Sequence, residues 1–371
     1  MRKETFFAAI IAVVTVFASC DKEGEGGGDV ELPTNIATSI TITEGQVDVQ
    51  VTAQNANFYT VTFNENGQET TVESTDGAAT YTFSNSGTYQ VKSRAHVTHD
   101  DYIEKIDEVT VVVDNSVLGQ IPTTGYETPM THPGYTLVWN DEFDGTSLSS
   151  DWVHETGNGQ AQGIPGWGNN ELQYYQDDNT EVVGGYCIIT AKQESQSGFN
   201  YTSSRIKTQG MQSFQKGRID IRAALPQGKG IWPALWMLGD NISSVGWPAC
   251  GEIDIMEMIG GPGNDQTIYG TVHWSDQGSH AEYGNSSTLG SGIYADEFHV
   301  FSIIWDDTQI RWLRDDVEFN VINITGSELT EFHQNFFMIF NIAVGGNWPG
   351  SPDASTQFPQ RMAVDYVRVF Q

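Results

Sequence analysis

Basic side chains are scarce: 17 Lys and Arg stand against 48 Asp and Glu in 371 residues, a formal net charge of −31. That balance argues against nucleic acid and an anionic membrane surface as partners, and disfavours a polyanionic substrate. Only 3 cysteines occur, at 20, 187 and 250. Cys187 and Cys250 sit in apolar, strand-like contexts where a buried thiol is ordinary, and a pair between them stays open. No amphipathic stretch of helical period and useful length appears, and no internal repeat. One long apolar run exists, "FFAAIIAVVTVFA", too short to span a bilayer comfortably. Against these absences stand 10 Trp, 14 Tyr and 18 Phe, enough to build a sizeable core.

Arg2 and Lys3 before that apolar run read as a targeting segment over residues 1–20. It ends in "FASC", which resembles a bacterial lipobox, with Phe17 where Leu is usual. The resemblance implies lipid on Cys20, and "DKEGEGGGD" after it resembles the acidic export signal of Bacteroidetes surface lipoproteins. The expected place is therefore the cell surface, on the outer membrane, with a periplasm-facing lipoprotein as the alternative. Residues 21–35 read as a flexible Gly-rich tether. From residue 36 to 113, short alternating runs such as "SITIT", "VDVQV" and "YTVTF" are separated by turn signals, which gives a small β-sandwich. Its piece "YTFSNSGTYQVKSRA" resembles polycystic-kidney-disease (PKD) domains, immunoglobulin-like modules. Spacer and carbohydrate-binding module are the two readings. Residues 114–133, rich in Pro, Gly and Thr, read as a linker. From 134 to 371 strands dominate again, so the whole chain is expected to be all-β, with a large two-sheet sandwich last.

Within that last part, "GEIDIMEM" (251–258) sets three carboxylates in an apolar run. Residues i and i+2 share a strand face, so Glu252 and Asp254 point one way and Ile253 and Ile255 the other. Strict alternation would drive Glu257 into the apolar layer, where an unpaired carboxylate costs on the order of several kcal/mol or stays protonated. A β-bulge re-aims Glu257 onto the face of the other two acids. Two Glu on one face suit a retaining glycosidase, whose carboxyls lie roughly 5–5.5 Å apart. Four strand steps separate backbones by roughly 13 Å, so only long side chains converge. Asp254 between them is placed to share a hydrogen bond or proton with Glu252. Read alone, the motif also admits a solvated acidic face or a set of Ca²⁺ ligands. Trp232 and Trp236 share another strand face, as sugar platforms or as core. His273 ends the strand "GTVHW", structural or tuning the acids.

The run "WPACGEIDIMEMIG" resembles the ExDxxE signature of glycoside hydrolase family 16 in its bulged, laminarinase-type form. "LVWNDEFDG", "GWGNNELQYY", "SSRIKTQG", "NIAVGGNWPG" and "FPQRMAVDYVRVFQ" extend the resemblance over nearly all of 135–371. It implies a β-jelly-roll fold and retaining cleavage of β-glycosidic bonds. It implies Glu252 as nucleophile, Glu257 as acid/base and Asp254 as their assistant. Trp232, Trp236, Asn169 and Arg205 would bind sugar, with His273 near Glu257. No cofactor is implied for catalysis. A structural Ca²⁺ is implied at Glu142, the Gly185 carbonyl and Asp365.

The expected activity is that of an endo-β-1,3-glucanase acting on laminarin-like chains, as a monomer, with mixed β-1,3-1,4-glucan as a second substrate. A hydrolase of a sulfated algal galactan is the rival, for which 17 basic residues leave little room. A transglycosylase would use the same residues. From another class, a non-catalytic β-glucan-binding lipoprotein would have lost the Glu pair that this sequence keeps.

Overall fold

The computed structural model describes residues 30–371 except 44, 66, 84 and 113–116. The targeting segment, Cys20 and most of the tether lie outside the described residues. The chain forms two compact units that divide between Gln120 and Ile121.

The first unit has one sheet of three strands, Thr34–Thr43, Gln46–Gln54 and Ala78–Thr82. A second sheet has four: Gln68–Ser74, Phe58–Glu65, Gly87–His96 and Tyr102–Val111. The alternation in "VDVQV" works as period two requires. Val47, Val49 and Val51 are buried with Val61, Phe63, Phe83, Val91 and Val109, while Asp48 and Gln50 are not.

The second unit, residues 121–371, is a two-sheet sandwich. One sheet runs Thr180–Val183, Tyr186–Ala191, Gln360–Phe370, Gly217–Ala224, His299–Trp305, Gln309–Arg314, Val317–Asn323, with Leu137–Asp141 also on Gln360–Phe370. The facing sheet runs Ser279–Thr288, Thr267–Asp276, Glu252–Glu257, Ile231–Gly239, Phe336–Val344, Arg205–Lys207, Val153–His154. The acidic strand is thus central. One core lies between the sheets, holding Ile219, Ile221, Leu235, Met237, Ile253, Trp305, Trp312 and Phe340 among others. Cys187 and Cys250 are both buried and free.

The linker expected over 114–133 needs a correction. Residues 121–133 pack onto the second unit. Gly125 bridges Phe298, Tyr366 Oη lies 2.8 Å from the Thr128 amide, and Arg368 donates to the Thr128 carbonyl at 2.7 Å. His132 Nε2 lies 3.0 Å from Asp220. Beyond that one bridge, whose Tyr126 amide donates to the Phe298 carbonyl at 2.9 Å, side chains of distant strands satisfy this backbone.

Candidate active site

The register places the three acids. Glu252 lies opposite His273 and Leu238, and Asp254 opposite Thr271 and Trp236. Then both ladders slip. Leu235 pairs with Met256 and leaves Ile255 without a partner, while on the other side Gly270 alone faces Ile255 and Met256. This is the bulge that the sequence calls for. Ile255 and Met256 both enter the core, and Glu257 returns to the face of Glu252 and Asp254.

A bulge breaks ladder bonds, and the freed carbonyls are buried. The facing sheet supplies their partners. Trp312, fully buried, donates its indole N–H to the Asp254 carbonyl at 2.8 Å. Asn320 donates to the Gly270 carbonyl at 2.9 Å. Gly270 is required here for space: a Cβ would lie 2.5 Å from Trp312 Cδ1.

Each glutamate has its own indole. Trp247 Nε1 donates to Glu252 Oε2 at 3.0 Å, and Trp232 Nε1 to Glu257 Oε1 at 3.0 Å. His273 Nε2 lies 3.2 Å from Asp254 Oδ2 and 3.7 Å from Glu252 Oε1. His273 therefore sits against Glu252 and Asp254 rather than Glu257. Burial, then the Asp254 charge, pushes Glu252 up to about 8, opposed by His273 and the Trp247 bond. Burial, then Asp254, likewise pushes Glu257 up to about 8, opposed by Trp232. Asp254 is raised by burial and then by the Glu282 charge. Carboxylates this close and this dry share fewer charges than their number near neutrality. Both glutamates are raised and each accepts an indole N–H. His273 beside Glu252 is the difference that favours the anion there, and a raised Glu257 keeps a proton to give.

Trp232 and Trp236 share the acid face, and Trp236 donates to Asn341 Oδ1 at 2.8 Å. Arg205 lies across the sheet in the row Glu257, Ala234, Asn341, Arg205. Its guanidinium sits 4.5 Å from the Trp167 ring and 4.9 Å from the Trp236 ring. Its Nε is 2.6 Å from Glu155, which also takes Lys207 at 2.6 Å. Burial would raise Glu155, but Arg205 and Lys207 hold it below the usual carboxylate range. Asn169 is half-buried and its carbonyl accepts the Asn347 amide at 2.8 Å. The sequence singled out neither Trp247 nor Trp348. Trp247 is 50 % exposed; Trp348, 41 % exposed, meets the Trp232 ring edge-on at 5.6 Å. Both stand inside runs that carry the family resemblance, "WPACGEIDIMEMIG" and "NIAVGGNWPG", which is the signal that could have found them.

The positions implied for Ca²⁺ do not fit a cation as they stand. Arg368 grips both oxygens of Glu142 at 2.8 Å, and Arg222 donates to Asp365 at 2.8 Å. A guanidinium already on each carboxylate repels the dication that the set would have to hold.

A family model, glycosyl hydrolases family 16, matches residues 165–368. The chain is 40% identical over 254 residues to a beta-glucanase of Rhodothermus marinus, covering 64% of this chain and 86% of that protein. It is 42% identical over 242 residues to the clotting factor G alpha subunit of Tachypleus tridentatus, covering 64% of this chain but only 34% of that relative. The solved laminarinase catalytic domain of Thermotoga maritima is 47% identical, with a TM-score of 0.59, over 64% of this chain and 98% of that one.

Proposed function

We propose, because this chain belongs to family 16 of the glycosyl hydrolases, that it cleaves β-1,3-glucan internally with retention of configuration. The observation that carries the reading is the bulged strand that puts Glu252, Asp254 and Glu257 on one face beside Trp232 and Trp236. The names beta-glucanase and laminarinase borne by relatives at 40% and 47% identity support the glucan.

In this reading Glu252, the anion favoured by Trp247 and His273, attacks the anomeric carbon while Glu257 protonates the departing glycosidic oxygen. The C–O bond breaks and a glycosyl ester forms on Glu252. Glu257, now a carboxylate, takes a proton from water, whose oxygen attacks the same carbon and returns Glu252 as leaving group. Asp254, raised by burial, carries a proton in place of a second charge beside the Glu252 anion. Trp232 and Trp236 offer flat apolar faces to sugar rings, and Asn169 and Arg205 polar groups to their hydroxyls. Arg205 and Lys207 share the one carboxylate of Glu155, and the single positive charge left over is a poor match for a sulfated galactan. Mixed β-1,3-1,4-glucan is a second substrate of the same face.

The finer parts of the reading rest on sequence. Residues 36–113 form a PKD-like spacer, and Cys20 carries lipid that tethers the monomer to the cell surface, where a polymer too large to enter must first be cut. Product profiles on laminarin, lichenan, agarose and carrageenan test the activity. Short β-1,3-linked products from laminarin are expected; cleavage of agarose or carrageenan in preference to laminarin would overturn the reading.

A further inference from the structure

At one end of the acid strand's face, the neighbouring hairpin gathers three side chains that the hydrolysis reading does not need together. His273 lies opposite Glu282 in the ladder, and His280 is opposite Ser275, two places along on the same face. Pairing of this kind fixes which side chains meet. His273 Nδ1 lies 2.9 Å from His280 Nε2 and 3.5 Å from Glu282 Oε2, and His280 Nε2 lies 3.8 Å from that same oxygen. A tetrahedral Zn²⁺ with bonds of ~2.0–2.1 Å holds its ligand atoms about 3.4 Å apart. The three separations bracket that value, so an ion at their centre needs only small side-chain shifts.

Two more observations point the same way. Asp254 is 2 % exposed, and its Oδ2 makes no hydrogen bond although His273 Nε2 faces it at 3.2 Å. Metal on Nδ1 fixes the tautomer that carries its hydrogen on Nε2, aimed at that oxygen. A carboxylate behind a ligating histidine is the usual outer support of a metal site. The Trp247 ring, 4.8 Å from the His280 ring, limits how that imidazole turns. On the open side Glu282 and His280 reach solvent, which leaves the fourth position to water.

We propose that His273, His280 and Glu282 form a Zn²⁺-class transition-metal site that, when filled, slows hydrolysis by fixing His273 against Glu252 and Asp254. Two imidazoles and one carboxylate suit Zn²⁺ better than Ca²⁺ or Mg²⁺, which prefer oxygen. The ion takes no part in bond cleavage.

Zn²⁺ binding is measured by equilibrium dialysis of the full-length chain after stripping with a chelator, for the wild type and the double variant His280→Gln, Glu282→Gln. Binding is read without substrate, so its outcome stands apart from the choice of glycan. The double variant is expected to hold one Zn²⁺ fewer per chain, or to bind it about tenfold or more weakly. Laminarin hydrolysis is compared with and without Zn²⁺ within each protein, and Zn²⁺ should slow only the wild type. His280→Gln alone, a change at an exposed position, guards against a folding defect and should show the same loss. Equal Zn²⁺ binding by wild type and variants overturns the site. So does a wild type that binds none at submillimolar Zn²⁺. Inhibition that persists in the double variant would move the kinetic effect to Glu252, Asp254 and His273 alone and overturn the coupling.

Discussion

Replacing Glu257 with Gln should stabilise the second unit, and only where the carboxylate would be charged. Burial raises Glu257 from 4.5 to about 8 in the folded chain. Between those values the native state keeps a proton that the unfolded chain has released. Stability therefore falls as pH rises through this window and is unaffected by Glu257 below it. Each pKa unit is worth ~1.4 kcal/mol, which sets a ceiling of about 5 kcal/mol above pH 8. The three acids share their charges, so a gain of about 1–3 kcal/mol is the expected size. Gln keeps the acceptor that Trp232 uses and nearly the same volume. The assay is urea unfolding followed by tryptophan fluorescence. All 10 tryptophans fall within 121–371, so the signal reports that unit alone. At pH 8.5 the variant's midpoint should exceed the wild type's, and near pH 4.5 the two should coincide. An equal gain at both pH values, or none at pH 8.5, refutes the argument that this carboxylate is buried against its own charge.

Glu252→Ala and Glu257→Ala should each lose most laminarin hydrolysis while staying folded. Azide should rescue the first with an inverted glycosyl azide; the second should turn over activated aryl glycosides that need no acid, giving a retained azide product, and near-normal activity on laminarin in either sinks the assigned roles. Trp312→Phe keeps an aromatic ring but strips the buried Asp254 carbonyl of its donor and leaves a small cavity where the indole was wider. It should cost at least about 1–3 kcal/mol in unfolding free energy for the carbonyl alone and, by displacing Glu257, lower kcat about tenfold with KM little changed. An unchanged kcat would show that the brace does not position the acid. A chain cut to 121–371 should hydrolyse soluble laminarin within a few-fold of the full length. One cut to 134–371 loses the Thr128 and Tyr126 backbone partners of Tyr366, Arg368 and Arg222. It should be less stable by about 3 kcal/mol at ~1 kcal/mol per bond, and equal midpoints for the two would refute that packing.

Period-two patterning made the strands legible, since Val47, Val49 and Val51, or Ile253 before the bulge, announce their face by spacing alone. The bulge was legible for a sharper reason: Glu257 falls one place late, and a carboxylate cannot enter an apolar layer unpaired. What supports the bulge was not legible. Trp312 and Asn320 lie more than fifty residues away on the facing sheet, and nothing in their local pattern says which carbonyl they meet. Residues 121–133 read as linker because their order comes from one bridge and from distant side chains rather than from periodicity. The Ca²⁺ expectation rested on carboxylate positions, and the sequence does not display the arginines that occupy them.

The braced bulge also says what would have to be moved to build this site elsewhere. A designer who transplanted Glu252–Glu257 into a sandwich with regular strands would carry over three acids and an orphaned carbonyl. Any larger residue in place of Gly270 would shut out the indole that answers it. A regular strand given Trp312 and Asn320 alone would have donors with nothing to bond. The portable unit is therefore discontinuous: six residues of one strand, a glycine on the next, and two side chains from the opposite layer. None of these is a useful step without the others, so the bulged site is a feature gained or lost whole.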